Sequence, residues 1–202
     1  MTDIDFNSAD TQDAAFALIP ANTLARVYLT IRPGGAGPEG WLTQSKTSEA
    51  LYLNTEGVIE DGPYSRRRIY TRIGYRGRNG SDGGEDTYAN RGRALIRGIL
   101  ESARGVRSDD TSDRARTART IHSLGEISGL AVAVKLGVDR DRNNPQDEGR
   151  NVVLAAIGPQ HPEYARLMAS ASSPAPYAQP TAGQPPAAAQ ASSNGSAPFW
   201  AQ

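Results

Sequence analysis

The sequence of 202 residues predicts a mainly β domain of about five strands, with one α-helix inserted after the third strand and a disordered C-terminal tail behind it. Three observations predict it. Five stretches alternate apolar and polar residues with the period of two that sends successive side chains to opposite faces of a sheet. One segment, Thr87 to Gly105, has helical periodicity and helix end signals. After residue 169 the composition changes to Ala, Pro, Ser and Gln, with six prolines and no charged residue. Such a segment cannot bury enough apolar surface to offset its chain entropy. The expected organisation is an acidic arm over 1–19, a compact domain over 20–169 and the tail over 170–202.

Thr23 to Arg32 is the first strand, with Ala25, Val27, Leu29 and Ile31 on one face and Arg26, Tyr28, Thr30 and Arg32 on the other. The glycine-rich run from Pro33 to Pro38 ends it and opens a flexible loop containing Trp41. Glu49 to Ile59 is the second strand, with Leu51 and Leu53 inward and Tyr52 and Asn54 outward. Asp61-Gly62-Pro63 is a turn signal leading to the third. That third stretch, Tyr64 to Arg78, sets Ile69, Thr71, Ile73 and Tyr75 against a core. Its other face is a cationic row of Arg66, Arg68, Arg72 and Arg76 around Tyr70. If the three strands pair in order, Tyr28, Tyr52 and Tyr70 share one surface, subject to a register that sequence does not set.

Gly77 to Gly84 is a loop. In the helix that follows, Thr87 serves as N-cap and Gly105 as the C′ glycine. Tyr88, Leu95, Ile96, Ile99, Leu100 and Ala103 line one side, and Arg91, Arg93 and Arg97 the other. A weaker helix over Asp110–His122, strands over Leu130–Val138 and Asn151–Ile157, and a short helix over Pro162–Met168 complete the domain.

The net charge of zero conceals an uneven distribution. Residues 1–60 hold three basic and eight acidic side chains, whereas residues 61–122 hold fourteen basic and eight acidic, so the middle carries +6. That basic middle is all arginine; the lysines are Lys46 and Lys135 alone. Arginine suits planar, bidentate phosphate contact and stacking, although a GC-rich genome produces the same bias. Absence of cysteine rules out disulfides and thiolate metal sites and fits a cytoplasmic setting. No run of 18 apolar residues occurs and the first thirteen residues are acidic, so neither a transmembrane helix nor a Sec-type signal peptide is expected.

Catalysis is not expected. His122 and His161 sit beside element ends as ordinary surface histidines, there is no thiol, and no Gly-x-Ser-x-Gly elbow occurs. The glycines of Gly74 to Gly80 lack the Gly-Lys-Ser/Thr of a phosphate-binding loop. Asp139, Asp141 and Asn143 begin a calcium-loop pattern, but Asn144 stands where glycine is needed and Arg150 where the bidentate Glu is needed. No cofactor or metal is expected.

Binding is better supported. A curved sheet of five strands, an interposed helix and an Arg/Tyr face describe an OB-fold-like five-stranded barrel that binds single strands by stacking and phosphate pairing. In this reading Tyr28, Tyr52 and Tyr70 stack on bases, with Trp41 a fourth stacking candidate or a cover over the core. Arg26, Arg32, Arg66, Arg68, Arg72 and Arg76 hold the backbone. The same row also suits a plainly solvated sheet face, where basic residues discourage edge pairing. Other classes stay open: a non-enzymatic virion structural or assembly protein using the tail as a tether, and a duplex- or RNA-binding regulator.

Several motifs, in order, resemble a known family. They are Phe6-Asn7, Leu18–Thr23, the Asp61–Tyr70 step, the Ala94–Gly105 helix end, Gly129–Leu136 and Asn151–Val153. Over roughly residues 5–160 the chain resembles the phage-encoded single-stranded DNA-binding proteins of replication and recombination modules. The resemblance implies an OB-type fold and protection of single strands in the host cytoplasm, with no catalytic residues. The tail is similar in layout to those of bacterial single-strand binders, whose acidic tips end in Pro-Phe. Here Pro198 and Phe199 are kept, Trp200 follows, and the acidic residues are missing. The aromatics at the tip read either as a chance pair or as a docking peptide, and the resemblance implies a replication or recombination partner for Pro198, Phe199 and Trp200; a homo-oligomer also stays open.

Overall fold

A computed structural model describes residues 17–78, 86–141, 143–144 and 146–169. The N-terminal arm before residue 17, most of the glycine-rich loop after Arg78, and the tail with Pro198, Phe199 and Trp200 lie outside the described residues. Six strands form one antiparallel sheet: β1 (Leu24–Arg32), β2 (Thr43–Gln44), β3 (Leu51–Ile59), β4 (Arg68–Arg76), β5 (Ala131–Asp139) and β6 (Arg150–Ala156). Helix α1 (Thr87–Arg104) and helix α2 (Asp113–Arg119) lie between β4 and β5, and α3 (Tyr164–Ala169) follows β6. Among the described residues no helix is long and apolar enough to cross a membrane.

The strands pair in the order β2-β3-β1-β5-β6, with β4 on the other edge of β3. Alternation produces the core as expected: Val27, Leu29, Ile31, Leu53, Ile59, Ile69, Ile73, Val132, Val134 and Leu136 are all buried. Each such side chain contributes about 1.5–3 kcal/mol by leaving water. Into this core α1 sends Ile99, with Leu95, Ile96 and Ala103 packed against it. Ser102 of α1 ties the helix to β5, its Oγ accepting from the Ala133 N–H at 3.1 Å and donating to the Ala133 carbonyl at 3.3 Å.

The sheet is open, not the closed five-stranded barrel of the sequence reading, and it has a sixth strand. That addition, β2, is only two residues long, too short for any alternation to register; it lies beside Tyr52 and Leu51, just past the point where β1 leaves β3. Across the opening, β4 and β6 approach through side chains. Thr71 Oγ1 accepts from the Val153 N–H at 2.8 Å, and the Thr71 carbonyl takes the Thr55 hydroxyl at 2.9 Å. A hydroxyl thus stands where a strand carbonyl would continue the ladder, satisfying a buried N–H without backbone pairing.

Local corrections have local causes. Strand β4 begins at Arg68, because the hairpin closes with Ile59 N–H on Arg67 and Arg66 N–H on Ile59. Arg66 is therefore a turn residue at φ 67°, a left-handed conformation, and not part of the cationic row. At the far end the register shifts, so that Tyr52 pairs with Gly74 and Leu51 with Arg76. Tyr75 falls in that bulge and is 45% exposed instead of facing the core. The expected helix over 110–122 shortens to α2, and a 3-10 turn over Leu124–Ile127 follows, closed by a capping box of Ser123 and Glu126.

Helix α1 is capped by Asp86 and not Thr87: its Oδ1 accepts from the Ala89 N–H at 3.0 Å and its Oδ2 from the Gly77 N–H at 2.6 Å. These bonds, Ala89's first, hold the Asp86 carboxyl below its ordinary value of 3.8. A folded-state pKa below the unfolded one adds stability that is present above about pH 4 and is lost as pH falls through the folded value. Asn caps a helix as well as Asp but does not titrate. The Asp86→Asn variant keeps the cap on Ala89, but its amide nitrogen cannot accept from the Gly77 N–H, so it should melt below wild type near neutral pH and lose less melting temperature in acid, as a thermal-melt series down to about pH 3 would read. Parallel pH curves would remove this role for Asp86.

Candidate nucleic-acid interface

Register sets the outward side chains of β1, β3 and β4 in rows. Tyr28, Val58 and Arg68 stand abreast, then Thr30, Glu56 and Tyr70, then Arg32, Asn54 and Arg72, and finally Tyr52 opposite Gly74. The meander therefore does bring Tyr28, Tyr52 and Tyr70 to one face. Tyr28 is half-buried, whereas Tyr70 is 44% exposed. From strand geometry, Tyr52 and Tyr70 stand about 14 Å apart.

Two arginines are laid on these rings. The Arg32 guanidinium carbon lies 5.0 Å from the Tyr70 ring centre, and that of Arg72 lies 5.3 Å from the Tyr52 ring centre. Such pairs contribute about 0.5–1 kcal/mol at exposed sites and hold both partners in place. Beneath them Glu56 is nearly buried and joins two cations. Arg32 Nε donates to Glu56 Oε2 at 2.9 Å, its Nη2 reaches the same oxygen, and Arg68 Nη1 donates to Oε1 at 2.8 Å. The carboxylate neutralises one of the two positive charges and orients both guanidiniums.

Helix α1 adds a fourth ring, Tyr88. Glycines at Gly74 and Gly92 let its first turns lie directly on β4; a Cβ at Gly74 would meet the Tyr88 ring at 2.8 Å. Tyr88 is 41% exposed and lies near Arg72 and Tyr52; burial pushes its phenol above the ordinary tyrosine range, and the Arg72 charge opposes that rise. One helical turn on, Arg91 is exposed on the same side. The sequence reading placed Tyr88 in the core stripe; its spacing of three from Arg91 was the available signal.

Four of the sequence-predicted residues lie elsewhere. Arg26 is largely covered by α3, with Nε 2.6 Å from Glu60 Oε2 and Nη1 donating to the Met168 carbonyl at 3.3 Å. Burial raises the Glu60 carboxyl above its ordinary value, and the Arg26 charge opposes that rise. Arg66 sits in the β3–β4 turn, and Arg76 at the end of β4 donates to the Glu49 carbonyl at 3.3 Å. Trp41 covers the core edge, close against Gly125, where a Cβ would be 2.6 Å from its ring. Glu39, two residues before it, accepts from Ser123 Oγ at 2.6 Å and pins the same loop.

Beside the face a groove of about 740 Å³ runs through the opening between β4 and β6. Tyr70 and Arg72 form one wall, Arg91 reaches in from α1, and Arg150, Leu154 and Asp139 form the other. Among the described residues no three His, Cys, Asp or Glu side chains gather so as to hold a metal ion. Compared with known proteins, the chain matches no family model, and no curated protein matches it.

Proposed function

We propose that the protein binds single-stranded DNA without strong sequence preference and covers it in phage replication or recombination, in the host cytoplasm. The observation that carries this reading is the pair of Arg–Tyr contacts, Arg32 on Tyr70 and Arg72 on Tyr52, on one face of a three-strand meander. Flat rings accept unstacked bases of any kind, and adjacent guanidiniums meet the phosphates between them. A duplex offers no free base faces, and a chain of zero net charge lacks the broadly basic surface of a generic duplex binder. Tyr52, Tyr70 and Tyr88 are the stacking rings in this reading, with Tyr28 at the rim, and Arg32, Arg68 and Arg72 the cations. The strand order, with α1 between β4 and β5, supports the finer reading of the fold as an opened OB-like barrel.

Fluorescence anisotropy with an oligo(dT) of about 30 nucleotides, at two salt concentrations and beside the matching duplex and RNA, tests it. Tight binding to the single DNA strand that weakens steeply with salt is the expected result. No binding at low salt would overturn the reading and bring forward the assembly role, in which the sheet domain and the tail serve as scaffold and tether.

A further inference from the structure

The face just described ends at Tyr70, yet the surface beyond it has the same mixed chemistry. Leu154, at 58%, and Tyr70, at 44%, are two large apolar side chains left exposed, and both line the groove between β4 and β6. Gly137 makes room on that wall, a Cβ there lying 3.3 Å from Leu154 Cβ. Around them stand the guanidiniums of Arg32, Arg72, Arg91 and Arg150 against the single carboxylate of Asp139. Arg32 is committed to Glu56 and Arg150 is paired with Asp139, whereas exposed Arg91 takes part in no ion pair among the described residues. Apolar platforms edged with cations fit a ligand that has flat apolar faces on an anionic chain.

We infer that the bound strand leaves the β1–β3–β4 face at Tyr70 and continues along the groove between β4 and β6. There Arg91 and Arg150 hold phosphates and Leu154 supports a base. The inference rests on the single-strand reading and extends its site to three residues on α1 and β6. It also gives the open seam a use: a closed β4–β6 ladder would leave no cleft there for a strand to enter.

The test is a salt series of oligo(dT) titrations with wild type, the Arg91→Ala/Arg150→Ala double variant, Leu154→Ala, and a control double variant, Arg114→Ala/Arg116→Ala. Both control residues are exposed on α2, away from the groove. The groove variant should flatten the slope of log K against log salt by about 1.4, two single-strand phosphate contacts, and weaken binding about tenfold. Leu154→Ala should weaken binding and leave the slope unchanged, and the control should leave both unchanged. An unchanged slope in the groove variant, or an equal change in the control, overturns the path while the single-strand reading stands. If wild type itself binds no single strand, the reading falls and the path with it.

Discussion

Replacing Gly92 by alanine is expected to cost about 3 kcal/mol, the upper part of the usual range for overpacking, and to lower the melting temperature by about 6–12 °C. A Cβ at this position would lie 1.7 Å from the Gly74 carbonyl oxygen and 2.6 Å from its carbon. Both are backbone atoms of β4, so no side-chain rotation relieves the clash; the helix must lift from the strand. The roughly 1 kcal/mol by which alanine improves on glycine inside a helix is too small to compensate. Gly98→Ala in the same helix is the matched comparison. Its new methyl would stand 3.3 Å from the Ala156 methyl, a contact that a small shift relieves, so that variant should stay close to wild type. Thermal or urea unfolding of the two variants reads the difference. Equal stability of Gly92→Ala and wild type would mean that α1 does not lie on β4 as described. Because the same contact sets Tyr88 beside Tyr52 and Arg72, Gly92→Ala should also weaken single-strand binding.

Tyr70→Ala is expected to weaken binding of oligo(dT) about 10- to 100-fold, the effect of one lost stacking ring. The change separates stacking from charge. Arg32 remains bonded to Glu56 when the ring is gone, so the cationic face persists and the salt slope should not move. Tyr70→Phe keeps the ring and should bind like wild type. Tyr52→Ala should add its own loss almost in full, since side chains about 14 Å apart on the sheet are far enough apart to act independently. A folded Tyr70→Ala variant that binds like wild type would remove the stacking site from this face.

Tyr52 and Tyr70 could be placed together from sequence because period-two alternation survives wherever a strand has one buried face, and the turn at Gly62-Pro63 joins their strands directly. The glycine contact could not. Gly74 and Gly92 are 18 positions apart, and an isolated glycine in a helix pattern looks the same whether it meets solvent or a strand.

Arg26 shows the same limit for charge. Its place in the alternating pattern is correct, but α3, more than 130 residues later, covers that end of the row and Glu60 takes its charge. Arg66 and Tyr75 failed for a local reason: a left-handed turn residue and a bulge each break a strict alternation without a distinctive residue to announce them.

By itself the sequence determined the five long strands, the main helix, most of the inward aliphatic residues and the Arg/Tyr character of one sheet face. All of these follow from periodicity and end signals within a few residues of one another. Only the tertiary structure decided which arginines stay exposed, that Glu56 clamps Arg32 and Arg68, that Tyr88 joins the face, and that the sheet stays open between β4 and β6. Each of those depends on segments far apart in the chain meeting at a particular register, and a pattern that repeats every two residues is the same in every register that preserves its faces.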